Sequence, residues 1–266
     1  MEKLIVLGTG HATVTNVYNT CFALKEGDEY LLVDAGGGNR ILTQLENANI
    51  SLNHMHHLFV SHAHSDHVLG VVWVIRMIGQ MMNTNKYQGF FHIYAHTELI
   101  DIIQQLCKLT LQSKITDLFN ERMIFHELED GKQLTILWHN FTFFDIQSTK
   151  MKQFGFYYLD LDKKYTFCGD EPYNEACHKY VKDSYLLMHE AFCLYKDRNL
   201  YDPYKKHHST VKDACELATS LNVEKLILWH SEHDHLDSHF NDYLSEAKGY
   251  YSKTLYIPRD LDVIEL

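Results

Sequence analysis

The sequence predicts an α/β fold of mixed sheets with helices packed outside them, on two observations. Short apolar runs that end in glycine or polar turns alternate with helical segments in the first and last thirds of the chain, and a block of β-type residues fills 123–168. No Pro/Gly/Ser-rich linker, low-complexity tract or short-period repeat interrupts this order, so residues 1–266 are expected to form one domain.

The runs at 3–7 and 30–34 are predicted strands, released into turns by glycines at 8, 10 and 36–38. A helix is expected at 39–48, where Ile41, Leu42 and Leu45 share a face. The buried strand predicted at 57–61 leads into His-Ala-His-Ser-Asp-His, and a mostly buried helix follows. Next come a strand at 91–95 and a helix from about 97 to 111, with Thr97 as candidate N-cap. Within the β block the expected strands are 123–128, 132–139, 141–146, 154–161 and 164–168, joined as hairpins. The last third reads as a strand at 185–190, a helix capped by Ser209 and Thr210 and running through Leu221, a strand at 225–230, a helix near 239–248 and a strand at 254–258.

Composition narrows the function. Of the 266 residues, 45% are hydrophobic and three are proline, which is the balance of an ordinary globular chain. Twenty-four Lys and Arg stand against 35 Asp and Glu, so a net charge of -11 repels nucleic acid unless the substrate is held locally. A nucleic-acid-binding module without catalysis is therefore the weakest candidate. The six cysteines, at 21, 107, 168, 177, 193 and 215, show no CxxC spacing and are expected to be reduced thiols in a cytoplasmic protein. The opening apolar run of four residues is too short for an export signal or a membrane span, so no membrane partner is expected.

Nineteen histidines are the remaining oddity, and they cluster. His62, His64, Asp66 and His67 place three imidazoles and a carboxylate within six positions, between a buried strand and a buried helix. Donors so spaced cannot converge on one point from a regular element, but a tight turn can divide them between two adjacent metals.

At these residues the sequence resembles the metallo-β-lactamase superfamily, and the resemblance covers nearly the whole chain. The motifs that carry it are Leu-Gly-Thr-Gly at 7–10, Val-Asp-Ala-Gly at 33–36, the histidine string at 62–67, Cys-Gly-Asp at 168–170 and Trp-His at 229–230. It is most similar to the ribonuclease Z branch, through His-Glu-Ala at 189–191 and His-Ser-Thr at 208–210. The resemblance implies a four-layer αββα sandwich of two mixed sheets flanked by helices. It implies a first metal bound by His62 and His64, a second by Asp66, His67 and His230, and Asp170 as the bridging carboxylate. The cofactor would be Zn²⁺, one or two ions, with Mn²⁺ as the alternative. Asp66, Glu190 and His208 are the catalytic candidates, the last two as a pair for proton transfer at phosphorus, since a carboxylate can orient an imidazole and raise its basicity.

Two departures matter. The family supplies a further first-metal histidine just upstream of an aromatic-Gly segment, and here Gln147 or Ser148 stands at that position, each a poorer zinc donor than imidazole. Upstream, His126 and His139 read as strand or turn residues, with His139 left open as a ligand. The branch's tRNA-gripping arm is also missing, since the roughly two dozen residues between Gln147 and Asp170 read as a hairpin. That counts against precursor tRNA.

The expected function is thus metal-dependent hydrolysis of a phosphodiester, on a small molecule or an RNA end, by a metal-activated hydroxide with Glu190 and His208 assisting. Two alternatives stand beside it. One is a hydrolase of thioesters, lactones or other carbonyl substrates on the same site; the other is a single-metal or non-catalytic binding protein. A homodimer is left open. His189 and His207 carry no assigned role, His233 and His235 read as a solvated loop, and Lys205 and Lys206 form a small basic patch beside His208.

Overall fold

The structure is a computed structural model and describes residues 1–234 and 236–266. In chain order its strands are β1 (Lys3–Gly8), β2 (Cys21–Glu26), β3 (Glu29–Val33), β4 (Met55–Phe59), β5 (Phe91–Ala95), β6 (Met123–Glu127), β7 (Gln133–Ile136), β8 (His139–Asp145), β9 (Phe154–Asp160), β10 (Lys163–Phe167), β11 (Leu186–Glu190), β12 (Lys225–Trp229), β13 (Thr254–Tyr256) and β14 (Val263–Glu265). The helices are α1 (Arg40–Asn47), α2 (Ser65–Asn83), α3 (Thr97–Thr110), α4 (Ser113–Thr116), α5 (His178–Val181), α6 (Arg198–Tyr201), α7 (Val211–Ser220) and α8 (Leu236–Ala247).

Two seven-stranded sheets result, ordered β14-β1-β2-β3-β4-β5-β6 and β13-β12-β11-β10-β9-β8-β7. Each is antiparallel in one half and parallel in the other, the parallel halves being β3 to β6 and β10 to β13. Alternation along the strands sorts their side chains into layers. Leu4 and Val6 of β1, Phe59 of β4, Phe167 of β10 and Trp229 of β12 meet between the sheets. Ile5 and Leu7 face α1 to α4 on one outer side, while Leu226 and Leu228 face α5, α7 and α8 on the other. The observed architecture is the expected αββα sandwich.

Four local readings change. The run at 132–139 is two strands, because Leu137 and Trp138 turn the chain with φ of 47° and 68°. The N-cap of α3 is His96, whose Nδ1 accepts from the Leu99 N–H, and Thr97 is already helical. Strands β2 and β14 join the first sheet without having been predicted. His233 is buried rather than solvated, its ring stacked 4.1 Å from that of His239; His235 lies outside the described residues.

The parallel strands point their C-terminal ends to one rim, and the long loops there carry the polar clusters. Helix α2 docks tightly against that rim. A Cβ on Gly70 would lie 1.8 Å from the Ala35 carbonyl oxygen, so only glycine lets the first turns of α2 approach the 34–37 turn. The Gly70 N–H donates to the Gly36 carbonyl at 2.8 Å, which fixes the His62–His67 string over Asp34.

Candidate metal centre

The six side chains assigned as ligands lie at this rim. His62 and His64 follow β4, Asp66 and His67 open α2, Asp170 follows β10, and His230 follows β12. They form two overlapping donor groups, Asp66/His67/Asp170/His230 and His62/His64/Asp170, whose atoms lie within 4.8 Å of one another. Asp170 is common to both. Its Oδ2 is 3.5 Å from His62 Nε2 and 3.4 Å from both His67 Nε2 and His230 Nε2.

The rings are held by their far nitrogens. Asp34, buried beneath the string, takes the His67 Nδ1–H on Oδ2 at 2.8 Å, the Ser61 hydroxyl on the same oxygen at 2.7 Å and the Ser61 N–H on Oδ1 at 2.7 Å. Ser61 has thus spent its proton on Asp34, so at 2.9 Å His62 Nδ1 must donate to Ser61 Oγ. The same logic applies at His230. Thr20 gives its hydroxyl proton to the Gly10 carbonyl, so His230 Nδ1–H donates to Thr20 Oγ1 at 3.2 Å. Each of these imidazoles is left with Nε2 facing Asp170, the arrangement a metal ligand needs.

The buried charges are unbalanced as they stand. Burial alone would raise the Asp170 pKa, but His62 and His67 outweigh it and hold the carboxyl well below the usual range. Burial opposes charge on His67 too, yet Asp66 and Asp34 raise its pKa well above 6.5. His230 goes the other way, lowered to about 3 by burial against the pull of Asp170. His67 Nε2 and Asp170 Oδ1 are buried and without a hydrogen-bond partner among the described residues. Orphaned donors of this kind, at the meeting point of carboxylates and imidazoles, fit a divalent cation.

The chain belongs to the family described as anti-Pycsar protein Apyc1, whose model matches residues 2–247. It is similar to the ribonuclease Z of Thermococcus sibiricus, 27% identical over 311 aligned positions that cover 100% of this chain and 97% of that protein. The fold is shared with the metallo-β-lactamase fold protein YhfI of Bacillus subtilis, at a TM-score of 0.81 and 19% identity over 100% of this chain and 99% of that one. It is shared too with the short form of human tRNase Z, at 0.71 and 20% over 98% of both chains. The chain is thus similar to ribonuclease Z in sequence and has the metallo-β-lactamase fold, with a buried His/Asp cluster that could bind metal.

Gln147 is exposed with φ of 60°, and Ser148 Oγ donates to Glu171 Oε1 at 2.8 Å, so neither joins a donor group. His139 is excluded as a ligand by its place: its Nε2 is 2.8 Å from the Met1 amine. His126, in β6, lies 2.9 Å from His92. The 154–167 stretch is the predicted hairpin, with no arm.

Beside the donors a cleft of about 380 Å³ is lined by His11, Asp66, Lys150, Asp170, Phe192, Lys206, His208 and His230, among others. His208 Nδ1 is 3.4 Å from Glu190 Oε2, ion-pair distance without hydrogen-bond alignment, and its ring stacks on Phe192. Glu190 is fully buried and its Oε1 takes the Ser209 N–H at 2.7 Å. Burial lowers the His208 pKa, but Glu190 and then Asp170 raise it above its ordinary value. Of the basic pair, Lys206 faces the cleft while Lys205 lies 3.4 Å from Asp202 at the surface. His189 turns to its own strand, Nδ1 to the Glu190 carbonyl at 2.7 Å, and His207 meets Thr149 at 2.7 Å. Sequence reasoning gave no role to Asp34, Ser61, Thr20 or Lys150. Only Asp34 carried a signal, as the lone carboxylate ending a buried strand.

Proposed function

We propose that this chain is a metal-dependent phosphodiesterase acting on a phosphodiester that fits the cleft, either a small molecule or an RNA end. The observation that carries the reading is the Glu190–His208 pair on the cleft wall beside Asp170 and His230. An acid at that position suits a poor alkoxide leaving group, such as that of an alkyl phosphodiester.

Asp66, His67, Asp170 and His230 would hold one cation, and His62, His64 and Asp170 another. Such ions acidify water and offset charge on the phosphoryl oxygens. The protein's own groups do the rest. The Lys150 and Lys206 ammonium groups draw the anionic substrate into the cleft despite the acidic surface. Asp66, kept ionised by His67 against the effect of burial, offers an acceptor to the attacking water. As water adds to phosphorus and the bond to the leaving oxygen breaks, His208 passes its proton to that oxygen. Glu190, pinned by Ser209, holds the ring and stabilises its charged form. The six cysteines, all buried and unbridged, fit a cytoplasmic protein.

Turnover of bis(p-nitrophenyl) phosphate, compared with a thioester and a cephalosporin under Zn²⁺ and under Mn²⁺, tests the proposal. We expect the highest kcat/KM on the phosphodiester. Preference for either carbonyl substrate would move the reading to the other hydrolases of this fold, and no turnover on any of them would favour a binding protein.

A further inference from the structure

The first donor group is one side chain short of the second, three against four. The loop between β8 and β9, where the family's additional histidine is expected, sends its polar residues elsewhere. Gln147 is exposed, Ser148 donates to Glu171, Thr149 meets His207, and the Lys150 ammonium donates to the Lys206 carbonyl. The end of the same loop does the opposite. Gln153 is 0% exposed, and neither its Oε1 nor its Nε2 has a hydrogen-bond partner among the described residues.

A buried amide without partners is costly, and in native proteins such a group has a reason. Its surroundings supply one. Gln153 Oε1 lies 2.8 Å from the point a Cβ on Gly169 would occupy, and Gly169 immediately precedes Asp170. The next residue, Phe154, donates its N–H at 3.1 Å to the Ser61 carbonyl, immediately before His62. The amide is therefore packed beside the Gly169–Asp170 turn, and the backbone that follows it is bonded to the residue before His62. An amide carbonyl is an established oxygen donor to divalent cations, softer in demand than a carboxylate because it adds no charge.

We propose that the Gln153 side-chain carbonyl is the remaining protein donor to the cation held by His62, His64 and Asp170, in place of a histidine. An oxygen where imidazole is usual shifts that site's preference from Zn²⁺ towards Mn²⁺. The inference rests on the metal-centre reading and is independent of the substrate.

The test is metal binding by the full chain, stripped of metal and titrated with Zn²⁺ or Mn²⁺ against a competing chromophoric chelator, with bound metal counted by elemental analysis. His230→Ala identifies the ion of the four-donor group. Wild type should take two ions, and Gln153→Leu should weaken the other by at least about tenfold while sparing that of the four-donor group. Gln153→Glu, which keeps the reach and adds charge, should tighten it. Melting of the metal-free variants checks folding, and should Gln153→Leu fail to fold, the Gln153→Glu titration decides alone. Unchanged affinity of both ions in the folded variants would overturn the inference while leaving the metal centre standing. A single ion confined to the four-donor group would do the same, and no metal uptake by wild type would overturn the metal centre itself.

Discussion

His208 carries most of the chemical commitment of any single side chain. Its ring stacks on Phe192 and its Nδ1 lies 3.4 Å from Glu190 Oε2, and Glu190 raises its pKa above the ordinary value against the effect of burial. His208→Ala should leave bound metal unchanged and lower kcat by roughly 100-fold for an alkyl leaving group, but far less for p-nitrophenolate, which departs without protonation. Equal losses on both would reject the acid role. The sign of the pH dependence follows from the shift. A group that must be protonated to act loses activity as pH rises through its pKa, and the Glu190 carboxylate raises that pKa. Glu190→Gln should therefore move the alkaline limb of kcat to lower pH, whereas an unmoved limb would show that Glu190 does not act through His208.

At the scale of elements, α7 sets the position of this pair. Thr210 caps the helix by accepting from the Asp213 N–H, and the Thr210 N–H in turn donates to Asp213 Oδ2 at 2.9 Å. Ser209, one residue earlier, is thereby presented to Glu190. Thr210→Ala should cost about 1 kcal/mol in urea unfolding and lower kcat without changing metal content; full stability and full activity would dissociate the cap from the site. The Ser-Thr cap was legible because its signal is local, as were the His62–His67 string after a buried strand and Asp170 after a glycine. What escaped depends on distant partners. Strand β14 has one buried residue, Ile264, and exists because β1 pairs with it from the other end of the chain. The turn at Leu137 and Trp138 contains none of the Asn or Gly residues that usually mark a two-residue hairpin, and so reads as continuous strand. His233 sits in a polar string, yet α8 folds over it. Asp34 makes its decisive contact with His67, thirty-three positions away. The ligand motifs were readable, while the hydroxyls and carboxylate that aim the rings were not. Aiming is a property of the assembled rim.

Across the whole molecule, histidines away from the centre that are half-buried, as His57, or buried, as His239, contribute to acid stability. Burial, helped by His92, lowers the His57 pKa to about 3; burial and His233 lower His239 to about 3. The unfolded chain protonates these rings near 6.5 and the folded one resists. Their stabilisation is complete above that pH and is lost as pH falls towards the folded values. The melting temperature of the metal-free protein should fall steadily from pH 6.5 to pH 4, less steeply in His57→Gln; a flat profile would contradict this. No described helix is long and apolar enough to cross a membrane.

The most direct test of the centre itself is bound metal in wild type and Asp170→Ala, measured by elemental analysis alongside phosphodiester turnover. Asp170 alone is common to both donor groups. We predict two equivalents per chain in wild type, with both metal and turnover lost when the carboxylate is removed. Wild-type metal content and activity in the folded variant would contradict the account.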